Sequence, residues 1–123
     1  MLVAYNLWLR GPERDGGAEQ EPELQTARSI ARAIRGPAVR ALGLRVGTQL
    51  QVSINLIDPF RTGPERVYDL VAQLAEETGA GIDRAELVGL APMQVLVDST
   101  PHRLAELGLD EEHTIEAVLE SRE

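Results

Sequence analysis

The chain predicts an α+β domain with the element order strand–helix–strand–strand–helix–strand, followed by a helical tail. Three observations predict it. Four stretches of strand length are rich in apolar residues, the third of them alternating apolar and polar side chains with the strand period of two, two stretches carry apolar stripes with the helical period, and a tight Gly-Thr connection joins the second and third strands. The βαββαβ core is expected over residues 1–98 and the helical tail over 99–123.

The first strand is Leu2 to Leu9, with Val3, Tyr5, Leu7 and Leu9 on one face and Ala4, Asn6 and Trp8 on the other. Gly11 to Glu21 is rich in Gly and acidic residues and reads as a mobile surface loop. Helix one is expected to begin at Pro22, since a first-turn N–H has no helical partner to lose. Its buried stripe is Leu24, Ala27, Ile30, Ala31 and Ile34, with Arg28, Arg32 and Arg35 on the other side and Gly36-Pro37 as the stop. Strands two, Val39 to Val46, and three, Leu50 to Ile57, form a hairpin around Gly47-Thr48.

Helix two carries Thr62 and Glu65 at capping-box spacing. Val67, Leu70, Val71, Leu74 and Ala75 give its stripe, and Gly79 stands where a C-terminal cap is expected. Strand four is expected over Ala85 to Leu90, closed by Pro92, with Gly89 as a close-packing site within it. A short helix follows from Met93 to Asp98. Thr100-Pro101 and Asp110 each mark a further helix start, and Ile115, Val118 and Leu119 give the last helix one apolar face. Two right-handed βαβ crossovers joined by a hairpin make a ferredoxin-like arrangement, a four-stranded antiparallel sheet with helices on one face.

Strands one and three are the central neighbours in that order. Alternation places Leu50, Val52, Ile54 and Leu56 beneath the helices, and Gln51, Ser53 and Asn55 on the uncovered side beside Asn6 and Trp8. Amides, a hydroxyl and an indole on central strands suit a polar planar ligand. A face that is simply hydrated would also be polar. Trp8, expected to be exposed, favours an interface.

Composition narrows the function classes. Hydrophobic residues make up 43% of the chain, enough for a core, while aromatics are 3%, so the core is aliphatic. A net charge of −8 opposes nucleic-acid or anionic-lipid binding. All twelve basic residues are Arg. Without Cys there is no disulfide, thiolate nucleophile or Cys-ligated zinc. Met1 leads straight into a strand pattern with no export signal, and no apolar run approaches the ~18 residues of a membrane span. A soluble, cytoplasmic domain is expected.

Catalytic and metal motifs are not evident. The two histidines, His102 and His113, lie in the tail, the latter on a charged stretch where a solvated role is the ordinary one. No HxH or HExxH spacing offers a metal site. Glu76-Glu77 and Asp110-Glu111-Glu112 read as solvated charge. Arg28, Arg32, Arg35 and Arg40 recur closely enough to hold an anion such as a glutamate tail, although an exposed helix face balancing the acidic excess is the favoured account of them.

Four segments carry a family resemblance. Val3-Ala4-Tyr5-Asn6-Leu7, Arg40-Ala41-Leu42-Gly43-Leu44, Gln51-Val52-Ser53-Ile54-Asn55-Leu56 and Glu86-Leu87-Val88-Gly89-Leu90-Ala91-Pro92 occur in the order seen in the C-terminal subdomain of the formiminotransferase domain. The chain resembles that subdomain of the glutamate formiminotransferase and formiminotransferase-cyclodeaminase family from about residue 2 to 98. It departs from the pattern in its long loop after strand one and its short connection after helix one. It also departs at Ala85, usually Ser, and at Gly63, inserted between Thr62 and Pro64.

The resemblance implies transfer of a formimino group from formiminoglutamate to tetrahydrofolate, in histidine degradation, with folate held between two related subdomains. The catalytic histidine belongs to the N-terminal subdomain, and nothing in this chain is matched to it. The expectation is a folate- and substrate-binding half with no catalytic residue of its own, acting with an N-terminal half from a separate chain. Asn6, Trp8, Gln51, Ser53 and Asn55 are the candidate ligand-binding residues; the open-face argument and the resemblance converge on Asn6, Gln51, Ser53 and Asn55, and Trp8 comes from the open-face argument alone. A tetrahydrofolate derivative is the implied substrate, and neither a covalent cofactor nor a metal is expected. The alternative is a non-enzymatic ligand-binding or assembly module that covers its open sheet by homodimerising.

Overall fold

A computed structural model describes residues 2–11, 23–96, 100–110 and 113–121. The elements are β1 (Val3–Arg10), α1 (Leu24–Ile34), β2 (Val39–Val46), β3 (Gln49–Leu56), α2 (Pro64–Glu76), β4 (Gly81–Val88), a 3-10 turn (Met93–Leu96), α3 (Pro101–Glu106) and α4 (Ile115–Ser121). The sheet order is β2-β3-β1-β4 and every pairing is antiparallel, the ferredoxin-like arrangement. The loop expected over 11–21 and the helix start expected at Pro22 fall almost wholly outside the described residues. The described part of α1 begins at Leu24, after Glu23 as N-cap.

Strand alternation builds the core. Val3, Tyr5, Leu7 and Leu9 of β1 and Leu50, Val52, Ile54 and Leu56 of β3 are buried on the side where the helices lie. Ala27, Ile30, Ala31 and Ile34 of α1 and Val67, Val71 and Ala75 of α2 close over them. Small residues on the helices let the backbones come near the sheet. At Gly43 in β2 an added Cβ would stand 2.4 Å from the backbone of Ala27 and Arg28, so the approach there requires glycine. The β2–β3 hairpin turns at Gly47, whose φ of 61° is the left-handed conformation the turn needs.

Several local expectations are corrected. The capping box does not form: the N-cap of α2 is Gly63, with no side-chain cap, and Pro64 opens the helix. The inserted glycine leaves Thr62 one residue too early to cap. Gly79 does end α2, with φ 78° and the Ala80 N–H returning to the Ala75 carbonyl at 2.9 Å.

β4 begins four residues before the expected start and ends two before the expected end. Its pairing with β1 shifts register between Trp8 and Leu9, which leaves Asp83 and Arg84 as consecutive exposed residues and hides the alternation. Gly89 lies beyond the strand, at φ 86° with no atom within 4 Å of an added Cβ, so it turns the chain rather than admitting a neighbour. The segment expected as a helix from Met93 to Asp98 is a 3-10 turn over Met93–Leu96, its last two expected residues lying outside those described.

The tail docks on the helix side. Thr100 caps α3 by accepting the Arg103 N–H, as its spacing predicts, and Leu104, Leu107 and Leu109 join the core. α4 begins at Ile115, and the Asp110 carboxylate accepts the His113 N–H at 2.9 Å, the bond a helix-start residue makes three positions on. Arg103 ties the tail to α2 through Asp69 at 2.5 Å and Glu65 at 3.4 Å, and lies 5.2 Å from the Tyr68 ring centroid.

Tyr5 joins sheet and tail by donating its hydroxyl to the Leu107 carbonyl. Burial, reinforced by Tyr68, pushes its pKa well above the ordinary value of 10.0. The folded state therefore favours the neutral phenol, and that stabilisation is present below the unfolded pKa and lost as pH rises beyond about 10. Tyr5→Phe is expected to cost about 1 kcal/mol at neutral pH. It should also make the alkaline loss of stability shallower. Urea unfolding of both proteins at neutral pH and at about pH 11 checks this; equal alkaline losses would place the titrating group elsewhere.

Candidate ligand-binding face of the sheet

The helices leave one face of the sheet uncovered, and strand register arranges its side chains in rows. The first row is Val88, Ala4, Asn55 and Arg40; the second is Glu86, Asn6, Ser53 and Leu42; the third is Arg84, Trp8, Gln51 and Leu44. Asn6, Trp8, Gln51, Ser53 and Asn55 thus all stand on the two central strands of this face. The chain has only two asparagines, and both are here.

The rows are not uniformly wet. Asn55 is exposed, Asn6 and Ser53 are half-buried, and Gln51 retains 7% of its accessible surface. Trp8 retains 9%, which overturns its expected exposure. Arg84 of β4 places its guanidinium 4.3 Å from the indole centroid, a cation–π contact that covers part of the ring. The Trp8 indole N–H is buried and meets no acceptor among the described residues, a donor that a carbonyl or carboxylate arriving on this face could satisfy. Asn6 already donates to Glu86 at 3.4 Å, so the β4 side of the face is partly self-paired.

The β2 side differs. Leu42, Leu44 and Val46 are exposed, 58% for Leu42, and make an apolar border to the polar centre. Beside them is a concavity of about 460 Å³ lined by Arg35, Arg40, Leu42, Ser53 and Asn55 among others. Of the four arginines whose spacing suggests an anion row, two reach it. Arg28 and Arg32 do not line it and remain on the exposed side of α1. Arg40 was legible as a face residue from the in-and-out pattern of β2, in which Val39 and Ala41 are buried.

His102 and His113 are exposed on the tail, and His113 pairs with Asp110 at 2.7 Å. Among the described residues, no group of three or more His, Cys, Asp or Glu side chains could hold a metal ion, and no helix is long and apolar enough to cross a membrane.

Fold and face together define the class: a ferredoxin-like α+β domain with a polar, partly concave open sheet face. The family follows from direct comparison. The model of the formiminotransferase domain matches residues 18–122, and the chain belongs to that family. A curated relative, glutamate formimidoyltransferase of Thermoplasma acidophilum, is 30% identical over 126 residues, an alignment covering 97% of this chain and 38% of that protein. The chain therefore spans a little over a third of the relative it matches.

Proposed function

We propose that the open sheet face is the folate- and substrate-binding wall of a two-part formiminotransferase, with the catalytic histidine supplied by an N-terminal half on a separate chain. The reaction is transfer of a formimino group from formiminoglutamate to a tetrahydrofolate. The observation that carries this reading is the placement of Asn6, Gln51, Ser53 and Asn55 on adjacent central strands, on the side away from the helices. Membership of the family and the match to 38% of the relative support it. Amide and hydroxyl groups there are fixed in direction by the sheet, so they can read a planar heterocycle without first being ordered. The Trp8 N–H, without an acceptor among the described residues, adds a donor at the centre.

The test is reconstitution. The chain is produced together with a family N-terminal half as a second polypeptide, and formimino transfer to tetrahydrofolate is measured. Transfer is expected only when both halves are present, with at least a tenfold loss on Ser53→Leu, which would fill the face with an apolar side chain. Failure to form a complex, together with no transfer, would remove the proposal.

The exposed border of Leu42, Leu44 and Val46 favours a second reading, in which two copies cover each other's face as a ligand-binding or assembly module. Light scattering distinguishes them. A stable dimer indifferent to folates supports the second reading, whereas a monomer that tightens with a folate supports the first.

A further inference from the structure

We propose that the concavity at the β2 edge is a carboxylate subsite, in which Arg40 and Arg35 grip the glutamate-type end of a ligand lying along the open face. The proposal deepens the reading above and rests on it for the ligand's position. Arg40 projects on the open face opposite Asn55, and Leu42 stands next to it opposite Ser53. These four side chains, with Arg35 at the end of α1, surround about 460 Å³, a volume suited to a small organic group.

Arg35 is held from behind. Its Nε donates to the Ala41 carbonyl at 2.8 Å, which fixes the plane of the guanidinium and leaves the two terminal nitrogens without an acceptor among the described residues. Arg40 likewise has no carboxylate partner among the described residues. In a chain with 20 acidic and 12 basic residues, two arginines lining one hollow with no acid among its described lining residues form a local positive site. By contrast, Arg103 is shared among three carboxylates.

Guanidinium groups match carboxylates through paired N–H bonds, and Ser53 and Asn55 can donate to a carboxylate's remaining lone pairs. The exposed Leu42 supplies an apolar wall for a short methylene chain. Together these features select an anion carried on an aliphatic stem, as in glutamate.

The experiment follows backbone ¹⁵N–¹H shifts of the whole chain during titration with glutarate, with inorganic phosphate and with neutral glutaramide. Glutarate is expected to move Arg40, Leu42, Ser53 and Asn55 saturably, glutaramide to move nothing, and phosphate to bind more weakly. Arg40→Gln should weaken glutarate by about tenfold with no change in melting temperature, and Arg40→Lys should recover part of the loss. Shifts spread over Arg28 and Arg32, equal binding of phosphate, or unchanged binding to Arg40→Gln would overturn the proposal. A parallel titration with 5-formyltetrahydrofolate separates the two claims. Folate that binds wild type and Arg40→Gln equally removes the subsite and leaves the folate reading. Glutarate binding without folate binding removes the folate reading and keeps the subsite.

Discussion

Replacing Gly43 by alanine is expected to destabilise the fold by roughly 3 kcal/mol, near the upper end for overpacking a well-filled interior. The added methyl group would sit 2.4 Å from the backbone of Ala27 and Arg28. A flexible side chain could swing away from such a contact, but a helix backbone can yield only by lifting α1 from the sheet. That movement would loosen Ala27, Ile30, Ala31 and Ile34 from the core. Gly36→Ala is the control, because nothing lies within 4 Å of its added Cβ. Its effect should stay within about 0.5 kcal/mol. Urea denaturation of the two variants checks both values. Equal stabilities would mean that α1 does not press on β2 as described.

Trp8→Ala should have an effect of similar size, about 3 kcal/mol, although Trp8 belongs to the uncovered face. The indole is nearly as buried as the helix-side residues, sandwiched in its row between Gln51 and Arg84. It is also the only tryptophan, so fluorescence reports its surroundings without ambiguity. Native emission is expected to be blue-shifted, and Arg84→Ala should shift it toward the red by uncovering the ring. Trp8→Ala with unchanged stability, or Arg84→Ala with unchanged emission, would show that the ring is not held this way. On the proposed function, Trp8→Ala is also expected to weaken ligand binding at this face.

The strands and helices differ in how plainly their sequences announce them, and the reason is physical. β1 and β3 lie at the centre with one face against the helices, so every second residue is apolar and the period is unmistakable. β2 keeps the alternation through Val39 and Ala41, and the Gly47-Thr48 turn marks its end. β4 is an edge strand interrupted by a register shift opposite Trp8 and Leu9, so Asp83 and Arg84 fall in succession and the apolar signal begins only near Ala85.

The same distinction governs the site. Asn6, Gln51, Ser53 and Asn55 were legible as residues of one face because side-chain parity in a strand is fixed by geometry. The burial of Trp8 was not, because a contact such as that with Arg84 comes from a residue distant in sequence and brought alongside by pairing. The convergence of Arg35 and Arg40 also depends on three dimensions. The short connection through Gly36-Pro37-Ala38 folds the end of α1 back along β2, separating Arg35 from the helical row to which its spacing assigns it.

The most direct test of the central claim uses the side-chain amide signals of Asn6 and Asn55, which report the open face and nothing else. They are followed by NMR as 5-formyltetrahydrofolate is added to the chain, alone and with a family N-terminal half. The account predicts that both amide pairs shift and saturate together, and that saturation comes at lower folate when the second half is present. Movement confined to other parts of the chain, with both asparagine signals unchanged at saturation, would contradict it.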